Sequence, residues 1–141
     1  MGEGDLLGER IARRMHELEG TSRALDLQFE SAGEGWARCS MTVREDMLNG
    51  HGVCHGGLIF TLADTAFAWA CNSRNVKTLA QHAAVSFLSP ARLGERLRAE
   101  AREEAAEGRT GVYSVKVTGE GGRSIAAFQG LSRSVGGAVI E

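Results

Sequence analysis

The amino-acid pattern predicts an α+β domain: an antiparallel sheet wrapped on one long buried helix, preceded by a shorter helix. Three observations carry this. Residues 56–73 hold the longest unbroken element, apolar or small almost all round, as a helix buried in the middle of a fold would be. The segments on either side alternate apolar and polar residues with a period of two. Those strand-like segments come in blocks before and after the helix rather than alternating with further helices, which separates α+β from βαβ order.

Element by element, residues 1–20 read as the first helix. Leu7, Ile11, Met15 and Leu18 recur at helical spacing, leaving Arg10, Arg13, Arg14 and Glu17 for solvent. The period then changes. Leu25, Leu27 and Phe29 alternate with Asp26, Gln28 and Glu30, and Ala37, Cys39, Met41 and Val43 alternate with Arg38, Ser40 and Thr42. Gly33 and Gly35 supply the turn between these two strands. A polar, glycine-containing loop follows over residues 44–55. In the central helix, Ile59, Leu62, Ala63, Ala66, Phe67 and Ala70 form the core stripe, with Thr61, Asp64, Thr65, Ala68 and Cys71 outside it.

The second half returns to strands at residues 79–88, 112–118 and 124–134, with Pro90 ending the first run. Glu95 to Glu107 has the Ala, Glu and Arg content of a helix, yet Leu97, Ala99 and Ala101 alternate strictly with Arg96, Arg98, Glu100 and Arg102. With Gly108-Arg109-Thr110-Gly111 turning into the next strand, it reads as one arm of a long hairpin.

The bulk properties narrow the function. A chain of 141 residues with 43% apolar content makes one domain, residues 1–141. With 16 basic against 18 acidic side chains there is no basic field for nucleic acid or anionic membrane. No apolar run is long enough to span a bilayer, and residues 1–10 lack a signal-peptide core. The odd set Cys39, Cys54 and Cys71 reads as reduced thiols. The expected setting is the cytoplasm.

Chemistry concentrates between Asn49 and Asp64. His55-Gly56-Gly57 marks the start of the buried helix, where the first N–H groups lack internal acceptors and sit at the positive end of the dipole. Two glycines let a ligand approach the backbone closely. A carbonyl oxygen placed there is polarised, as acyl transfer requires. Asp64 is a lone acid among Ala, Leu, Phe and Thr; burial there should raise its pKa and make it a better base. Eight helical residues rise about 12 Å, too far for Gly56 and Asp64 of one chain to act on the same carbonyl. If both act, they come from different subunits.

The run Met47-Leu48-Asn49-Gly50-His51, then Cys54-His55-Gly56-Gly57, then Leu62-Ala63-Asp64-Thr65-Ala66-Phe67-Ala68 resembles the phenylacetic-acid-degradation thioesterases (the PaaI type) of the hotdog-fold superfamily. The resemblance extends through Ala70-Cys71-Asn72-Ser73, Phe87-Leu88-Ser89-Pro90 and Thr110-Gly111-Val112-Tyr113, and so from about residue 20 onward. It implies a six-stranded antiparallel sheet around the helix, and a homo-oligomer that is a dimer or a dimer of dimers. It also implies metal- and cofactor-free hydrolysis of aryl-acetyl- or hydroxylated aryl-acetyl-coenzyme A. By position it makes Asp64 the base or nucleophile, Gly56 the N–H that polarises the thioester, and Asn49 the side chain that helps hold it. His55, Gly57, Ser89 and Pro90 fall beside the substrate. Relatives carry a hydroxyl residue on the next strand to orient water; here that place holds Gln81 or His82.

Plainer readings stand beside these. Asp64 can be a structural acid bonded to a loop, Gly56-Gly57 close packing, His55 a turn stabiliser, and Asn49 a loop pin. His51, Cys54 and His55 are metal-ligand types, but a catalytic zinc wants three well-spaced ligands and an open position, so no metal is expected. Ser73 and Cys71 have no base at a readable spacing. The arginines at 92, 96, 98, 102 and 109 read as a solvated strand face, from which some can meet coenzyme A phosphates. Two rivals remain: a hydratase or dehydratase using His82 on the same fold, and an acyl-coenzyme A binder without turnover.

Overall fold

A computed structural model describes residues 2–141. The elements run α1 (Glu3–Leu18), α2 (Gly20–Leu25), β1 (Gln28–Gly33), β2 (Trp36–Thr42), α3 (Gly56–Cys71), β3 (Thr78–Phe87), β4 (Arg96–Glu107), β5 (Thr110–Thr118) and β6 (Ser124–Ser134). The six strands form one antiparallel sheet in the order β1-β2-β4-β5-β6-β3. The predicted α+β architecture is therefore present, with β1 and β3 as free edges and α3 packed on one face.

The residues that made α3 read as buried bury it. Leu62, Ala63, Ala66, Trp69 and Ala70 have no solvent exposure, and they meet Cys39, Leu97, Ala99, Val115 and Phe128 in one core. Phe67 lies against both Tyr113 and Phe128, with ring centroids 5.5 and 5.8 Å apart. The helix ends one residue before Asn72, whose Nδ2 donates to the Ala68 and Thr78 carbonyls while its Oδ1 accepts from the Thr78 N–H. One amide thus closes the helix and starts β3.

β4 is a strand despite its composition because it is paired on both sides, which a helix propensity of a few tenths of a kcal/mol per residue does not outweigh. Its alternation sends Leu97, Ala99 and Ala101 to the core. The opposite face carries its charges in pairs: Glu100 takes Arg38 directly across on β2 as well as Arg102, and Glu30 takes Arg96 and Arg98. Of the predicted arginine face, Arg96, Arg98 and Arg102 are thereby committed.

The segment before β1 corrects the sequence reading. Leu25 and Leu27 were expected to open a strand, but residues 20–25 form α2, which Asp26 terminates in the left-handed conformation at φ 54°. The strand begins only at Gln28. Leu18, expected on the buried stripe of α1, is 59% exposed, because the inward face of α1 is carried by Ile11 and Ala12. Gly35, at φ 75°, makes the β1–β2 turn that Gly33 and Gly35 predicted.

At 16 residues, α1 equals α3 in length rather than being the shorter helix expected. The N-terminal helices are tied to the core by Glu19, between α1 and the six-residue α2. Its carboxylate accepts from the Trp69 indole N–H at 2.7 Å and from the Ser22 hydroxyl at 3.0 Å. Trp69 is fully buried, and among the described residues its N–H has Glu19 as its acceptor. Glu19→Ala is expected to cost about 1–3 kcal/mol in urea unfolding, the desolvation penalty of an orphaned donor. Glu19→Gln, which keeps an acceptor, should recover most of it; equal losses for the two would show that the indole bond contributes nothing.

Candidate active site

The loop from Arg44 to His55 folds back on itself before α3. Leu48 and Cys54 form an isolated bridge, and the His55 N–H donates to the Met47 carbonyl at 2.8 Å. Asn49 organises the turn: its Oδ1 accepts from the His51 N–H at 2.9 Å and the Val53 N–H at 3.3 Å. Its Nδ2 donates to nothing among the described residues. Asn49 therefore pins the loop and keeps one amide group available.

The helix start shows how its orphan donors are divided. His55 is the N-cap; its Nδ1 accepts from the Gly57 N–H at 3.2 Å. That bond requires an unprotonated Nδ1, with the ring proton on Nε2. The Leu58 and Ile59 N–H groups both donate to the His55 carbonyl, at 3.0 and 3.4 Å. Among the described residues, this leaves the Gly56 N–H as the first-turn donor without an acceptor. His55 and Gly57 are thus structural partners at the cap, and Gly56 is the chemically open position.

Gly56 lines a cleft of about 360 Å³ with Asn49, Val53, Cys54, Ile59, Phe87, Leu88, Ser89 and Pro90. Four predicted residues, Asn49, Gly56, Ser89 and Pro90, meet here. The walls are mostly apolar with a few polar groups among them, the pattern of a small-molecule site. A Cβ built on Gly56 would stand 3.0 Å from the Phe87 ring, so the missing side chain keeps the cleft open at its N–H. His55 and Gly57 line a separate hollow with Asp46, Met47, Leu48 and Leu58. Val53, Cys54, Ile59, Phe87 and Leu88 were not anticipated as lining, since only the folding back of the loop and the end of β3 aligns them with Gly56.

Asp64 lies two turns along α3 and lines neither space. It is half-buried and accepts no hydrogen bond among the described residues; burial alone holds its pKa above the ordinary carboxylate range. Its face of the helix is a stripe of incompletely covered residues, Gly57, Thr61, Asp64, Ala68 and Cys71, at alternating spacings of four and three.

Gln81 and His82 sit at a β-bulge on β3, where the pairing with β6 shifts between Ala80 and His82. Gln81 is the extra residue. His82 lies opposite Leu131, which alternates with the inward-facing Gly130 and Ser132, so the register turns His82 to the outer side of the sheet, away from α3. The fold therefore does not bring it to the cleft.

The thiols of Cys54, in the cleft, and Cys71, at the far end of α3, are protonated at neutral pH: burial pushes Cys54 up to about 11, and burial followed by the charge of Asp64 pushes Cys71 up to about 12. His51, Cys54 and His55 do not converge, and among the described residues no group of three His, Cys, Asp or Glu side chains is placed to hold a metal ion. Among the described residues, no helix is long and apolar enough to cross a membrane. A more polar hollow of about 340 Å³ at the far end of α3 includes Arg74 and Tyr113, which both bond Glu103, and Arg109 of the predicted arginine face, but none of the residues predicted to act on or hold the thioester.

The fold recurs in known proteins. The sequence is 40% identical over 128 residues to the acyl-coenzyme A thioesterase PaaI of Escherichia coli, 91% of each chain being covered. The solved structure of the E. coli PaaI protein superposes with a TM-score of 0.93, at 38% identity, over 95% of this chain and 97% of that one. A mutant of the phenylacetic acid degradation protein PaaI from Thermus thermophilus matches at 0.80, with 34% identity over 83% and 100% of the two chains. The family model described as "Thioesterase superfamily" matches residues 51–126, a stretch that holds the end of the loop, the central helix and every cleft residue but Asn49, and the chain accordingly belongs to that superfamily, with its hotdog fold.

Proposed function

We propose that the protein hydrolyses acyl-coenzyme A thioesters of the phenylacetyl or hydroxylated phenylacetyl class. The carrying observation is the Gly56 N–H: uncommitted, at the positive end of a buried helix, and opening into an apolar cleft. The thioester oxygen accepts from it, with the free Nδ2 of Asn49 alongside. Negative charge that develops on that oxygen is met by a donor already in place. Asp64 removes a proton from the attacking water, whose oxygen bonds the carbonyl carbon; the tetrahedral intermediate then expels coenzyme A thiolate. Attack by Asp64 itself, through an anhydride that water opens, uses the same groups.

The two groups meet across a subunit interface. Within one chain they are about 12 Å apart along α3. The incompletely covered stripe of α3 and the free edge of β3, with Leu79, Phe87 and Leu88 more than half exposed, are the surfaces a two-fold partner would cover. Antiparallel packing of two α3 helices brings the Asp64 of one protomer toward the Gly56 of its partner, and the small residues Gly57, Thr61 and Ala68 permit close approach. Sedimentation at micromolar concentration is expected to show a dimer or a dimer of dimers.

Mixing tests the shared site. Asp64→Asn and Gly56→Pro homodimers each lack one half of every site. After dissociation and random re-association, half of the dimers hold one intact site of two, so about a quarter of parental activity should return. No recovery despite demonstrated exchange would place both groups in one chain. Thiol release across phenylacetyl, hydroxyphenylacetyl, short aliphatic and long-chain coenzyme A esters tests the substrate class; a preference for long aliphatic chains would reject it. A dehydratase reading has lost its candidate base, since His82 faces away.

A further inference from the structure

Behind the Ser89–Pro90 wall of the cleft lies an ion pair that the chemistry above does not use. Glu95 is 4% exposed. Both its carboxylate oxygens accept from Arg123 Nη2 at 2.7 Å, and it also takes the backbone N–H groups of Arg92 at 3.0 Å and Glu120 at 2.9 Å. Burial raises its pKa, but these four bonds outweigh that and hold it below the ordinary range, so it is ionised at neutral pH. Gly119 lies against the carboxylate, where a Cβ would collide with it.

The other arm of the guanidinium reaches the wall. Arg123 Nη1 donates to the Ser89 hydroxyl at 2.9 Å and to the Pro90 carbonyl at 2.8 Å, and the Ser89 hydroxyl in turn donates to the Ser124 carbonyl. The next residue continues the chain of contacts: the Ala91 carbonyl accepts from the Cys54 N–H at 2.8 Å, two residues before Gly56. On the other side of the wall, the Leu88 N–H donates to the Ile125 carbonyl at 2.8 Å. One fork of a planar cation therefore spans a buried carboxylate and the backbone of the cleft wall, a span that a lysine ammonium does not reproduce.

We infer that Arg123 and Glu95 are positioning residues of this thioesterase site: their pair fixes the Phe87–Pro90 wall relative to the Gly56 N–H and so sets how tightly the acyl group is held. This rests on the cleft being the acyl site. Neither residue touches the reacting atoms, and Arg123, with its arms committed to Glu95, Ser89 and Pro90, is not a free phosphate ligand. The effect should fall on substrate affinity. A displaced wall weakens ground-state and transition-state contacts alike, which raises KM and leaves kcat near its parental value.

Steady-state kinetics with phenylacetyl-coenzyme A, affinity for a non-hydrolysable thioether analogue, and urea unfolding test this together. Arg123→Lys is expected to raise KM about tenfold with kcat within about twofold. Ser89→Ala removes the side-chain link to the wall, one of the two that Arg123 Nη1 makes, and leaves the Pro90 carbonyl bond and the Glu95–Arg123 pair in place. It should raise KM and analogue Kd by about threefold or more, with an unfolding midpoint close to parental, and Ser89→Thr should restore both. If Arg123→Lys does not fold, Ser89→Ala and Ser89→Thr carry the comparison alone. Lower unfolding midpoints with unmoved KM and Kd would make the pair a stability device and overturn the inference. A parental protein that hydrolyses no acyl-coenzyme A ester would overturn the functional reading and this one with it; an active parent with unmoved KM overturns this one only.

Discussion

Asp64→Asn is expected to lower turnover at least about a hundredfold while leaving fold and assembly intact, the scale on which a general base contributes. Asparagine is nearly isosteric and keeps the hydrogen-bonding oxygen, so it removes the proton acceptor and little else. Among the described residues, Asp64 holds no hydrogen bond or ion pair that the change would break. Its raised pKa has two consequences of opposite sign. For activity, kcat/KM should climb with pH through a value above the ordinary carboxylate range, and the residual activity of the variant should lack that limb. For stability, the folded state binds the Asp64 proton more tightly than the unfolded chain does. The parent therefore loses stability as pH rises from the ordinary carboxylate range through the raised folded value. The variant has no such loss, so its melting temperature should rise relative to the parent as pH climbs above the ordinary carboxylate value. Turnover within a few-fold of parental would make Asp64 a structural acid.

Gly56→Pro is the sharper test of the oxyanion donor, and turnover should fall roughly 10²–10³-fold, as when a single such donor is deleted. Proline is tolerated in the first turn of a helix, and the residue before it must be extended. His55 already is, at φ −61° and ψ 131°. The Gly56 N–H makes no bond within the described residues, so its removal costs the fold no hydrogen bond. The added ring atoms crowd Phe87, and Gly56→Ala controls for this: it brings the same Cβ, 3.0 Å from that ring, and keeps the N–H. Phe87 is more than half exposed and can shift. The alanine variant should retain most of kcat and the proline variant should not. Affinity for a thioether analogue should change far less than turnover in either, because the donor is worth most when charge develops on the oxygen. Equal kcat for the two variants would reduce Gly56 to a packing position.

Much of this molecule was legible in one dimension. Wherever burial alternates, the period of two located the strand, and it overrode composition at Arg96–Glu107, because pairing on both edges is worth more than helix propensity. Where the pattern was short it misled. Leu25-Asp26-Leu27 alternates like a strand, but a left-handed residue at Asp26 lets the same leucines end one helix and approach β1. Asp64 stood out because an acid in an apolar helix is costly unless it is used.

The sequence by itself determined the fold class, the central helix with its glycine start, and the types of residue available for acyl transfer. It did so because burial periodicity, N-terminal helix donors and a lone buried acid are local properties, written in neighbouring residues. The tertiary structure decided the rest. It spent the Gly57 N–H on His55 and left that of Gly56 open, a division set by one imidazole's position. It turned His82 outward through a one-residue bulge, since each single-residue slip moves a side chain to the other face. It also joined Arg123 to Glu95 and Ser89 across 28 and 34 residues of chain, contacts that no spacing announces because the strands between them create the proximity.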